Sequence, residues 1–313
     1  MNEINKAAKI IQDGGLVAFP TETVYGLGAD ACNQEACLNI FKAKGRASNN
    51  PLIVHVESFQ DAAILAEFND DAIKLTQFWP GPLTLVLPKK ENLEIASIVT
   101  SNLNTIAIRV PSNKIALELI QKSKKPIAAP SANKSGKLSP TNYEHVKKNF
   151  GDDVFILKSE DNTDYGLEST IIDLTTSIPT ILRYGFITPS AIESVLGKKV
   201  QIAHKDSKVK APGMLHNHYA PKTHLRISAR SLNDNEIGLN FGNSKLNSPF
   251  TLNLNLSKKG DLAEAAANLF NHLHMLDEFA VKNNINTIAV APIPNESIGL
   301  AINDRLKRGA GIY

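Results

Sequence analysis

The stretch Leu16-Val-Ala-Phe-Pro-Thr-Glu-Thr-Val-Tyr-Gly-Leu-Gly28 changes character at Pro20. Before it, Leu16 to Phe19 is a short apolar run, the pattern of a buried strand. Upstream, Ile4, Ala8 and Ile11 recur at helical spacing until Gly14-Gly15 stops them, so a helix feeds the strand. The alternation continues with helices over 35–42, 113–121 and 190–196, and strands over 52–56, 83–87, 105–110, 127–129, 154–157, 170–174 and 180–183. Helices interleaved with short buried strands specify an α/β domain, helices packed on a sheet. The pattern leaves the strand directions open.

The 313 residues correspond to about two domains at roughly 150 residues each. Periodicity disappears after residue 200, which places an α/β domain over 1–200 and a linker over 201–222. A smaller α/β unit follows over 223–313. In it Phe250, Leu252, Leu254 and Leu256 alternate as in a half-buried strand, and Leu262, Ala266, Leu269, Leu273, Leu276 and Ala280 form a helical stripe. A strand over 287–290 and a helix over 297–308 complete it. No internal repeat is present.

Composition narrows the function. A net charge of +3, from 34 basic and 31 acidic residues, excludes a strongly polybasic protein but leaves room for a local basic groove. With 42% hydrophobic and 21% charged residues, the chain has the make-up of an ordinary globular protein. Two cysteines, Cys32 and Cys37, are too few for a disulfide scaffold. Charge interrupts Met1 to Gln12 too often for a signal peptide, and no apolar run approaches the roughly 18 residues of a membrane span. The expectation is a cytoplasmic protein with no membrane contact.

The motifs divide between chemistry and plain structure. No P-loop and no dinucleotide fingerprint is present. Pro20 to Gly28 reads as the lining of a crevice beyond a strand end, or as a polar turn. Lys44-Gly45-Arg46 reads as a phosphate clamp, Arg46 a fork and Lys44 a point charge, or as a solvated basic turn. His55 is either a core histidine or a ligand contact. Pro130-Ser131-Ala132-Asn133 and Ser135 to Ser139 offer small residues and donors, with Thr141 as the cap of the next helix. Arg109 and Arg183 each end a strand, where either a bound anion or a surface carboxylate is a natural partner. Gly166-Leu-Glu-Ser-Thr170 is not a G-x-S-x-G elbow, which excludes a serine hydrolase of that type. His216 and His218 make a weak metal pair, and no metal site is expected.

Taken in order, Pro20-Thr-Glu-Thr-Val-Tyr-Gly-Leu-Gly28, Lys44-x-Arg46, Phe78-Trp-Pro-Gly-Pro-Leu-Thr84, Pro130-Ser-Ala-Asn133, Ser169-Thr170, the Pro-Gly-Met and His-Tyr-Ala-Pro linker, and Gly299 to Arg308 make a single pattern. The chain resembles the YrdC-like family in its long two-domain form. Two positions depart from it: Ala47, where the family usually has proline, and Ala211, where the linker often begins with serine.

The resemblance implies a twisted open sheet with a concave cavity, followed by a small Rossmann-like domain. It implies a nucleotidyl transfer in which L-threonine, bicarbonate or CO2, and ATP give threonylcarbamoyl-AMP and pyrophosphate, for modification of tRNA. Carried over by position, Thr23, His55, Arg109, Ala129 and Ser169 would hold threonine, Arg109 at its carboxylate. Arg46, Asn50, Thr105, Ser131, Ser139, Arg183 and Tyr219 would hold ATP, Tyr219 reaching it from a linker that acts as a lid. Lys44 and Arg46 would serve catalysis by neutralising phosphate charge, with Mg²⁺ arriving on the ATP, while Asn133 would support the Ser131 loop. A downstream threonylcarbamoyl transferase is the expected partner, and tRNA contact is allowed but not required. An RNA-binding module is the competing class, disfavoured by the weak net charge and 6% aromatic content. A carbamoyl-transfer domain of a larger maturation enzyme ranks lower still.

Overall fold

A computed structural model describes residues 2–160, 162–204, 210–212, 218–247 and 249–312. In chain order its elements begin with α1 (Glu3–Gln12), β1 (Val17–Phe19), β2 (Gly26–Asp30), α2 (Gln34–Lys44), β3 (Ile53–His55), α3 (Phe59–Leu65) and α4 (Asp70–Leu75). There follow β4 (Leu83–Pro88), β5 (Thr105–Arg109), α5 (Lys114–Ser123), β6 (Ile127–Ala128), α6 (Tyr143–Phe150), β7 (Phe155–Ile156), β8 (Thr170–Asp173), β9 (Thr180–Arg183), α7 (Pro189–Leu196) and β10 (Gln201–Ile202). The second unit contributes β11 (His224–Arg226), β12 (Glu236–Asn240), β13 (Leu254–Asn255), α8 (Leu262–Lys282), β14 (Thr287–Val290) and α9 (Gly299–Gly309).

The first sheet runs β10-β9-β8-β4-β5-β3-β6-β2-β1-β7 and mixes directions: β3 and β5 are parallel, whereas β1 and β2 form an antiparallel hairpin. That hairpin corrects the reading of Pro20 to Gly28 as one continuous turn. Val17 pairs with Gly28 and Phe19 with Gly26, so the glycine-rich half is strand and only 20–25 is connection. Gly28 is required there because a Cβ would stand 2.7 Å from both the Phe19 ring and the Ile127 side chain. Asn2 caps α1, whose Ala7, Ala8 and Ile11 pack on Ala116, Leu119 and Ile120 of α5. The helix after 140 is capped by Asn142, which accepts the His145 N–H, and not by Thr141. Thr141 instead binds the His145 ring through its own N–H.

The second sheet, β11-β14-β12-β13, is wholly parallel. The alternating stretch from Phe250 forms a strand only at Leu254–Asn255, and its two phenylalanine and leucine side chains, Phe250 and Leu252, pack on the core without ladder pairing. β11 and β12 escape a reading by hydrophobic pattern because Arg226 and Glu236 interrupt it. Their ion pair, 2.7 Å from Arg226 Nε to Glu236 Oε1, lets Glu236 be buried.

The two units share a core. Val24, Leu138 and Leu167 of the first join Leu269, Phe270, Leu273 and Leu306 of the second. Each such side chain contributes about 1.5–3 kcal/mol on burial. Gly166, at φ +64, is pressed against α8, where a Cβ would lie 2.5 Å from the Ala267 carbonyl oxygen. Asn142 Nδ2 donates to Asn271 Oδ1 at 3.3 Å, and the His145 and His274 rings stack at 3.8 Å across the same seam. No helix among the described residues is long and apolar enough to cross a membrane.

Candidate active site

Several chain segments end at one small cavity of about 40 Å³. The β1–β2 connection supplies Thr21 and Thr23; β3 supplies His55; β5 ends at Arg109. Ala129 and Ser131 follow β6, Glu168 and Ser169 precede β8, Arg183 ends β9, and Arg46 follows α2. Pro212, His218 and Tyr219 close the remaining side. Thr23, His55, Arg109, Ala129, Ser169, Arg46, Ser131, Arg183 and Tyr219 therefore meet around one space. Asn50, Thr105, Ser139 and Lys44 do not line it.

The connection folds around Thr21. Its hydroxyl accepts the N–H groups of Thr23 and Val24 and donates to the Val24 carbonyl at 2.6 Å, a local turn that presents the Thr23 hydroxyl. Arg109 reaches that hydroxyl at 3.0 Å, Glu22 Oε1 at 2.5 Å and the Gly81 carbonyl at 3.2 Å. With these contacts on three of five N–H donors, two are left for a ligand. Burial alone would push the Glu22 carboxyl up, but the charge of Arg109 and its bond outweigh this and hold it below the usual range. His55 is buried, and burial plus the Arg109 charge push its pKa down to about 3, leaving a neutral imidazole.

On the other wall, Arg183 chelates Ser169, with Nε 3.0 Å from its carbonyl oxygen and an Nη 3.1 Å from its hydroxyl. Thr84 bonds the same hydroxyl at 2.7 Å. Glu168 accepts from Ser139 at 2.5 Å and from Arg305 Nε at 2.9 Å. Burial would raise this carboxyl, yet Arg305 and Arg183 bring it down to about 2. Of the residues that line the cavity, three arginines (46, 109, 183) against one glutamate (168) leave 3 − 1 = +2, a setting for a polyanion.

Lys44 differs from its expected place beside Arg46. Its Nζ lies under the Ser131 loop, donating to the Ser131 carbonyl at 2.6 Å and to the Asn133 carbonyl. Burial and the charges of Arg46 and Lys134 push its pKa well below the ordinary lysine value. It shapes the loop from behind. Asn133 accepts from the Ser131 hydroxyl at 2.5 Å and ties the loop to Lys134 and Lys137. Arg46 does face the cavity, its Nη2 3.3 Å from the Asn50 and Pro51 carbonyls, bonds that fix the loop that carries Ala47. Burial lowers Arg46 to about 10, so it remains a cation.

Ten buried side-chain atoms have no hydrogen-bond partner among the described residues, and four belong to residues that line the cavity, Arg46 Nε, His55 Nδ1, His218 Nδ1 and Tyr219 Oη, with Glu22 Oε2 on the carboxylate paired with Arg109. Each such group costs about 1–3 kcal/mol unless something bonds it, so their clustering marks a ligand site. His216 lies outside the described residues. Among them no group of three metal-ligating side chains forms, and buried His218 has its pKa pushed down to about 3 by burial.

Sequence reading assigned no role to Glu22, Glu168 or Arg305. Their signal is a charge set among residues that are otherwise apolar or hydroxylic: Glu22 between threonines, Glu168 between Leu167 and Ser169, and Arg305 on the face that carries Ala301, Ile302 and Leu306. Both carboxylates sit below the ordinary 4.5, so their stabilisation is present above that pH and is lost as pH falls through the folded values, about 2 for Glu168. Glu168→Gln is expected to flatten the acid-side fall of the unfolding temperature between pH 4.5 and about 2. Thermal unfolding across that range checks it, and an unaltered slope would show the carboxyl is not held ionised.

The fold and site define an α/β protein with a small cationic cavity walled in part by the segment that leads into a second domain. Residues 9–185 match the Sua5/YciO/YrdC family model, described as Telomere recombination, and residues 187–311 match the model described as Threonylcarbamoyl-AMP synthase, C-terminal domain. The chain belongs to the Sua5/YciO/YrdC family, in the form that carries this C-terminal domain. It is 40% identical to the threonylcarbamoyl-AMP synthase of Pyrococcus abyssi, with 99% of this chain and 94% of that one aligned. It is 37% identical to the Bacillus subtilis protein of the same name, over 99% and 93%. The crystal structure of P. abyssi Sua5 complexed with L-threonine superposes with a TM-score of 0.88 at 38% identity, covering 98% of this chain and 94% of that one.

Proposed function

We infer that this chain is a threonylcarbamoyl-AMP synthase, a nucleotidyl transferase acting on L-threonine, bicarbonate or CO2, and ATP. The observation that carries the reading is the arginine-lined cavity ringed by unpartnered buried polar atoms, in a chain that matches synthases of that name along nearly its whole length. Thr23, His55, Arg109, Ala129 and Ser169 hold threonine, with the free Arg109 donors at its carboxylate. Neutral His55 does not repel the substrate ammonium. Arg46, Asn50, Thr105, Ser131, Ser139, Arg183 and Tyr219 serve ATP: Arg46, Ser131, Arg183 and Tyr219 line the cavity, Asn50 lies in the loop that Arg46 bonds, and Ser139 acts through Glu168.

The amine nitrogen of threonine bonds to the carbon of CO2, releasing a proton and giving a carbamate; with bicarbonate as the source, that proton leaves with the bicarbonate hydroxyl as water. A carbamate oxygen then attacks the α-phosphorus in line, the bond to the β-phosphate oxygen breaks, and pyrophosphate leaves. Carbamates decompose in water, so the site must exclude solvent and align partners more than supply a strong base. Arg46 is placed to stabilise the charge that grows on the departing phosphates. Glu22 pairs with Arg109 and Glu168 with Arg305, and no group of three metal-ligating side chains forms among the described residues. Mg²⁺ belongs with ATP as part of the substrate.

A cavity of about 40 Å³ holds roughly three waters, since a water needs about 10–15 Å³ in this measure. The wall of Pro212, His218 and Tyr219 is the part assigned to opening for threonine and ATP and closing over them, which suits the shelter a carbamate needs. The adenylate would pass to a threonylcarbamoyl transferase for tRNA modification. Both cysteines are free thiols, which suits a reducing cytoplasm. The reading is tested by pyrophosphate release from ATP, expected only when threonine and bicarbonate are both present; release with either omitted would count against it.

Selectivity should follow the polar pocket. Serine keeps the hydroxyl and loses a methyl group worth roughly 1–3 kcal/mol, whereas valine keeps the shape but offers no hydroxyl to the polar wall of Thr23 and Ser169. Competition assays are expected to rank threonine above serine and serine above valine. Equal turnover of valine and threonine would refute the polar pocket.

A further inference from the structure

The C-terminal unit inserts one charged side chain behind the site. Arg305 of α9 is only 1% exposed, on a helix face otherwise made of Ala301, Ile302 and Leu306. A charge is tolerated there only if fully paired. Its Nε donates to Glu168 Oε2 at 2.9 Å, one Nη to the Tyr184 carbonyl at 2.7 Å and the other to Asp304 at 2.7 Å. Its guanidinium carbon stands 5.1 Å from the centre of the Tyr219 ring, within cation–π range.

Both contacts toward the cavity lead to residues assigned to ATP, whereas Ser169, next to Glu168 in the chain, is held by Thr84 and Arg183. Glu168 turns its other oxygen to the Ser139 hydroxyl, and Tyr219 lines the cavity with a buried hydroxyl that has no partner among the described residues. Tyr219 also holds φ +65, a conformation few tyrosines adopt without surrounding support. By contrast Arg109 and Thr23 are anchored by Glu22 and the Gly81 carbonyl, within the first domain.

We propose that Arg305 is a positioning residue for the nucleotide half of the site, through which docking of the C-terminal unit sets ATP affinity while leaving threonine affinity alone. This rests on the substrate assignment given above. A guanidinium that only stabilised the fold would, when removed, weaken both ligands together. One that positions Ser139 and Tyr219 weakens ATP selectively.

The test uses the full chain with Arg305→Gln and Arg305→Lys, measuring equilibrium binding of ATP alone and L-threonine alone beside the unfolding temperature. Arg305→Gln is expected to weaken ATP by about tenfold or more and threonine by less than about twofold. Arg305→Lys should recover part of the loss, since it keeps the charge but not the planar fork. Unaltered ATP binding, or parallel loss of both ligands, overturns the proposal. If Arg305→Gln does not fold, Arg305→Lys decides by the same criterion: an ATP-selective loss supports the role and an unselective or absent one overturns it. A wild-type chain that bound neither ligand would instead overturn the substrate assignment, and the inference with it.

Discussion

Arg46→Ala is expected to lower threonylcarbamoyl-AMP synthesis by about 10² to 10³ while leaving the fold intact, the usual effect of deleting one charged donor to a transition-state oxygen. The fold should survive because Arg46 gives the protein only two long bonds, 3.3 Å each, to the Asn50 and Pro51 carbonyls. What it loses lies on the ligand side, where its buried Nε has no partner among the described residues. At a pKa of about 10 it is charged at neutral pH, so the variant removes a cation and not merely a hydrogen-bond donor. Steady-state rates beside a circular-dichroism melt check this. Activity within a few-fold of wild type would remove Arg46 from the chemistry.

Truncation after Ala203 should have an effect of similar size, on the order of 10² in rate or more, the scale of loss when reactants are held slightly out of place. The cut retains β10, which pairs with β9, so the first sheet is complete. It removes Pro212, His218 and Tyr219 from the cavity wall and Arg305 from Glu168. It also uncovers Val24, Leu138 and Leu167, which the second unit buries. A folded first domain with weak ligand affinity and little product is the expected result, read from binding and product formation on the truncated and full chains. Full activity would assign the C-terminal unit some other task, such as recruiting a partner.

The α/β alternation was legible because apolar runs such as Leu16 to Phe19 and the α8 stripe from Leu262 to Ala280 follow simple periods. The β1–β2 hairpin was not, since Gly26 and Gly28 read as loop residues although they make room for Phe19. Strands β11 and β12 were hidden because charged residues stand at their ends, Arg226 and the buried Glu236, whose pairing is a tertiary contact that no local pattern encodes. In the site, strand-end arginines stood out, but what each one touches did not. Arg109 and Glu22 are 87 positions apart and Arg305 and Glu168 are 137 apart, so the pairs that set their ionisation exist only in the fold. Lys44 shows the converse, a residue that reads as a phosphate cation beside Arg46 but whose Nζ bonds the carbonyls of Ser131 and Asn133 beneath the loop.

The central claim is that this cavity joins three substrates into one adenylate. The most direct test supplies the purified chain with ¹³C-labelled bicarbonate, L-threonine and Mg²⁺–ATP and identifies the nucleotide product by mass spectrometry. The expected product is AMP carrying a threonylcarbamoyl group with the label in its carbamoyl carbon, formed together with pyrophosphate and absent when threonine is withheld. AMP or a threonyl adenylate without the label would contradict the account.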